Sequence, residues 1–96
     1  MSPLNKKKLN KIRDKLDKLD NSLIKIIKQR TILVSNVLKL KETKKEIVDK
    51  IRIKKILTNI KNKSLKNNID PKITKRIWFN MIYAFIDFEK RNFKKK

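Results

Sequence analysis

Three observations predict an all-helical chain of three segments. Apolar residues recur at alternating steps of three and four through Leu9, Ile12, Leu16, Leu19, Leu23 and Ile26, and resume at Leu33, Val37 and Leu40. That is the period of a helix with a single apolar seam. No stretch shows the strict alternation of a half-buried strand, and no internal repeat is present. The chain has no Gly and only two Pro, and each Pro follows a capping residue, as Ser2-Pro3 and Asp70-Pro71. A capping residue followed by proline marks a helix start.

The elements follow in order. Ser2 caps a first helix over about residues 4–40, on the order of 50 Å long at the usual rise per residue. No breaker interrupts it. A helix longer than a small domain must find a partner along its length, so self-association is expected. Residues 41–48 lose the seam and read as a loop. Asp49 caps a second helix, over about 49–65, with Ile53, Ile56, Leu57 and Ile60 at core spacing. Asn67-Asn68 supplies the left-handed C-cap in a chain without Gly. Asp70-Pro71 then starts a third helix over about 71–91, with Ile73, Ile77, Trp78, Met81, Ile82, Phe85 and Phe88 as its core face. All six aromatic residues lie between Trp78 and Phe93, and helical spacing reads them as core rather than as a platform for stacking bases. The 96 residues form one domain.

Composition excludes several chemistries. There is no Cys for disulfide or thiolate chemistry, and no His as general base or zinc ligand. The lack of Gly removes phosphate-cradling glycine loops. Without a signal-peptide core or an apolar run long enough for a membrane, the expected compartment is the cytoplasm. The net charge of +20 invites a nucleic-acid partner. Against that, Lys, Ile and Asn make up about half of the chain. All three have A/T-rich codons, and the lysines spread along the whole length. Steering of a small anion is an equally good use for the charge. No nucleic-acid, metal or membrane partner is expected, and no cofactor.

Arg30 stands in the seam where an apolar residue belongs. A buried guanidinium is costly unless an anion meets it. Lys41 follows 11 residues later, close to three turns, and projects from the same face if the helix continues. Arg52 opens the second helix. Glu89 continues the series Trp78, Ile82, Phe85 and so places a carboxyl on an apolar face. An internal Arg30–Glu89 salt bridge is one reading of these residues. Convergence of the cations on a small dianion is the other. The set contains no nucleophile, which suits binding and charge stabilisation better than hydrolysis.

On these residues the chain resembles the all-helical chorismate mutases. The pattern is Arg13, Leu16, Leu19-Asp20, Leu23, Ile27, Arg30, Val37, Lys41; then Asp49, Arg52, Ile56-Leu57; then Ile69-Asp70-Pro71, Ile77-Trp78, Met81-Ile82 and Glu89. It spans about residues 9–91, and the spacing of Arg13, Arg30 and Lys41 is its specific part. The resemblance implies an intertwined homodimer of three-helix chains whose sites each draw on both subunits. Arg13 from the partner chain and Arg30 would hold the two carboxylates of chorismate. Lys41 and Glu89 would meet the ether oxygen of the breaking bond, making Lys41, Glu89 and Arg30 the catalytic groups. Asp49, Arg52 and Phe85 would complete the substrate pocket. The implied reaction, chorismate to prephenate on the route to phenylalanine and tyrosine, is pericyclic and requires no nucleophile, metal or cofactor.

Two positions depart from the mutase pattern. Ile53 stands where many mutases carry an acid or amide for the ring hydroxyl. Phe85 is bulkier than the residues usual one turn before the acid, as in the isochorismate pyruvate lyases of the same fold. That lyase activity is the nearest alternative, and a basic helical nucleic-acid-binding dimer is a second.

Overall fold

The computed structural model describes residues 1–95. Helix α1 (Pro3–Leu40) is followed by one 3-10 turn (Lys44–Ile47), helix α2 (Lys50–Lys66) and helix α3 (Pro71–Asn92). The described residues contain no strand. Two compact units result, Met1–Leu33 and Val34–Lys96.

The first unit is the greater part of α1 and nothing else. Ser2 caps it, its Oγ accepting from the Asn5 N–H at 3.2 Å. The seam is bare in the single chain: Leu16 and Leu23 are each 52% exposed and Leu33 is 63% exposed. A helix owes most of its stability in water to an apolar face that is covered, and within this unit nothing covers it.

The second unit holds the core. Leu38, Ile47, Ile82 and Ile86 are buried together, with Val48, Ile53, Ile56, Leu57 and Phe93 packed against them. Leu38 does not belong to the seam. It lies one turn after the half-buried Val34, on a stripe adjacent to Leu33, Val37 and Leu40. The last turns of α1 therefore carry two apolar faces, one closed within the chain and one open. The segment expected as a plain loop contains the 3-10 turn, and it delivers Ile47, only 3% exposed, to the core. The Glu46 carboxylate accepts from the Glu42 and Thr43 N–H groups at 2.6 and 3.2 Å, which pins the turn.

The caps of α2 and α3 are local. Asp49 Oδ1 accepts from the Arg52 N–H and Asp70 Oδ1 from the Lys72 N–H, both at 2.9 Å. Helix α2 ends with Asn68 in the left-handed region at φ 55°. The Ile69 N–H reaches the Ser64 carbonyl at 2.9 Å and the Asn68 N–H the Leu65 carbonyl at 3.3 Å. Those two bonds form a Schellman closure, with Asn in the place usually taken by Gly. Across the corner the buried hydroxyls of Ser64 and Thr74 share a 2.6 Å hydrogen bond.

Helix α3 corrects part of its expected core face. Ile73 and Ile77 are 57% and 52% exposed, while Ile86, absent from the expected set, is buried. At about 100° per residue, Ile73 and Ile77 fall on the side of α3 opposite Ile82 and Ile86. Apolar spacing alone had merged two stripes. Phe79 and Tyr83 are likewise exposed, whereas Trp78, Phe85, Phe88 and Phe93 are half-buried.

Candidate active site

The charged pair at the end of the core is the clearest functional feature. Lys41 is the first residue beyond α1, three past Leu38. Glu89 lies in the last turn of α3, three past Ile86 and seven past Ile82. Each thus continues a core stripe of its own helix. Lys41 Nζ donates to Glu89 Oε2 at 2.7 Å, and the two side chains are 18% and 9% exposed. A carboxylate so removed from water is tolerated because the ammonium meets it. The sequence left Glu89 open to an internal bridge with Arg30. The bridge that forms uses Lys41.

Arg30 is half-buried, and its Nε is buried without a hydrogen-bond partner among the described residues. By helical period it continues the seam of Leu23 and Ile26 within the first unit. A buried guanidinium N–H with no acceptor costs free energy, and an anionic ligand would remove that cost.

The other expected residues are less committed. Arg13 is exposed on the first unit. Asp49 is exposed, and one carboxylate oxygen is already engaged as the α2 cap. The Arg52 side chain is exposed, and its backbone N–H completes that cap. Phe85 is half-buried one turn before Glu89. Ile53 packs against the core cluster. No group of three or more Asp and Glu among the described residues could hold a metal ion. No helix among the described residues is long and apolar enough to cross a membrane.

The described residues thus form an all-helical chain that closes a lysine–carboxylate pair against its core. Residues 12–90 match the chorismate mutase type II family, and the chain belongs to it. No curated protein and no solved structure matches the chain.

Proposed function

We propose that the protein is a chorismate mutase, an isomerase converting chorismate to prephenate for phenylalanine and tyrosine synthesis in the cytoplasm. The observation that carries this reading is the Lys41–Glu89 pair, in a chain of this family. In the reaction one C–O bond breaks as one C–C bond forms in a cyclic shift of electrons, and negative charge grows on the ether oxygen. An ammonium has three N–H donors and Glu89 takes one. Lys41 is therefore oriented with donors left for that oxygen, where a fixed cation stabilises the transition state more than the ground state. Glu89 directs that ammonium by accepting from it.

Arg30 is assigned to one substrate carboxylate, and its partnerless Nε supports this. Arg13 of a second copy is assigned to the other, in a homodimer built on the bare α1 seam. Asp49, Arg52 and Phe85 are assigned to the rest of the pocket. Binding a dianion in one compact conformer supplies the remaining rate enhancement by orientation. No cofactor takes part.

The packing of Ile53 into the core cluster favours one second reading. Without an acid there to read the ring hydroxyl, isochorismate pyruvate lyase activity on the same cations is the alternative. Purified protein should consume chorismate and yield prephenate, and Arg30→Ala should lose that activity while keeping its helical circular dichroism. Pyruvate release from isochorismate would select the lyase. Inactivity of the wild type on both substrates would sink the proposal.

A further inference from the structure

A second basic surface lies apart from the Lys41–Glu89 pair. A groove of about 540 Å³ between α2 and α3 is lined by Lys50, Lys54 and Lys61 on one helix and Lys72, Lys75 and Tyr83 on the other. Its apolar lining includes Ile53 and Leu57, and no Asp or Glu lines it. Tyr83 sits about 100° round α3 from the core stripe of Ile82. The lysines looked scattered in the sequence, and the α2–α3 pairing gathers five of them around one groove.

The shape of this charge selects its occupant. Lys50, Lys54 and Lys61 follow one edge of α2 at steps of four and seven, a row of about 16 Å. A row that long exceeds a small dianion and suits a linear polyanion, whose phosphates would also relieve the repulsion among ammoniums. Tyr83 of the lining pairs with Phe79 one turn earlier on α3, and the two are 40% and 47% accessible. Their ring centroids are 4.8 Å apart at a 45° tilt. Open aromatic faces beside a cation row are what unpaired bases stack on. A duplex keeps its base faces covered, and an acidic peptide has none.

We propose that the α2–α3 groove binds single-stranded nucleic acid, with Lys50, Lys54, Lys61, Lys72 and Lys75 on the phosphates and Tyr83 and Phe79 against the bases. Its lining holds hydroxyls at Thr58 and Tyr83 but no Asn, Gln, Arg, Asp or Glu to read a base edge through two bonds, so its binding is tolerant of sequence. None of the five lysines or two aromatics is assigned to the mutase site, so substitutions at them test the groove separately from the mutase reading.

The test uses the full chain and a fluorescein-labelled oligo-dT of about 15 nucleotides, with anisotropy followed over a range of salt. Binding should weaken with salt at a log–log slope of about −3.5, the value for five phosphate contacts to a single strand. Lys54→Glu/Lys61→Glu/Lys75→Glu should weaken binding more than about tenfold at low salt. The control Lys7→Glu/Lys11→Glu/Lys18→Glu, equal in net charge, should leave it nearly unchanged. Tyr83→Ala should cost on the order of tenfold without altering the salt slope, and Tyr83→Trp should restore it. Circular dichroism confirms the fold of each variant. Equal weakening by the control triple would reduce the effect to diffuse charge and overturn the proposal. So would duplex DNA or polyglutamate binding as tightly as oligo-dT, insensitivity to Tyr83→Ala, or no binding at low salt.

Discussion

Lys41 and Glu89, 48 residues apart in the chain, meet at 2.7 Å where α1 has ended and α3 makes its last turn. The contact ties the two ends of the core, and it is also the proposed chemical centre. Stability and activity can therefore be separated by substitution. Lys41→Met leaves a mostly buried carboxylate without its cation, a loss of ~2–3 kcal/mol once partial rehydration is allowed. Lys41→Met/Glu89→Met removes both charges and should recover most of that in urea unfolding. Both variants should be inactive on chorismate. A Lys41→Met protein as stable as wild type would show that the pair contributes nothing to the fold.

Glu89 holds Lys41 by accepting one of its three N–H donors. Glu89→Gln keeps an acceptor for that ammonium and adds an N–H donor of its own. It should retain kcat/KM within about tenfold, whereas Glu89→Ala should lose about 100-fold or more on chorismate. Equal losses in the two variants would show that Glu89 does not act through a hydrogen bond.

Asn68 offers a test of the fold alone. Its left-handed conformation closes α2 with two backbone bonds. Asn tolerates that region better than most residues, and Gly better still. Asn68→Gly should stabilise by ~0.5 kcal/mol, and Asn68→Val should destabilise by ~1–2 kcal/mol, read from thermal melting. Neither change should alter KM, since Asn68 belongs to the corner of Ser64 and Thr74 and not to the Lys41–Glu89 end.

The same corner shows what the sequence could and could not disclose. Asp49, Asn68 and Asp70-Pro71 act through neighbours within a few positions, so residue type and order were enough to place them. Ile47 was invisible because one 3-10 turn has no period to detect. Ile73 and Ile77 were misplaced because spacing by threes and fours is satisfied by two interleaved stripes, and only the position of α2 says which is covered. At the site, the cations and the acid were legible as charges at apolar positions. Their pairing was not, since sequence spacing would put Arg30 and Lys41 on one face of a continued helix, and either could have answered Glu89. The aromatic run misled for a related reason. Phe79 and Tyr83 belong to the same aromatic run but lie at the flank of the core face, 47% and 40% exposed.

The bare seam and the assignment of Arg13 meet in a last experiment. If α1 pairs with a second copy, Leu23→Asp should convert a dimer to a monomer in sedimentation equilibrium, because a charge in a buried seam is not repaid. Activity should vanish with the dimer, since Arg13 acts across it. Arg13→Ala and Arg30→Ala should each be inactive. Mixed in equal amounts and allowed to exchange, half of the dimers become heterodimers. In each of these, one site has Arg30 from its own chain and Arg13 from the partner, both intact, while the other site lacks both. Specific activity should therefore recover to about a quarter of wild type. Recovery to that level requires a site shared between chains. If exchange is shown by mass-tagged subunits and activity stays at background, Arg13 and Arg30 do not serve one site across the dimer.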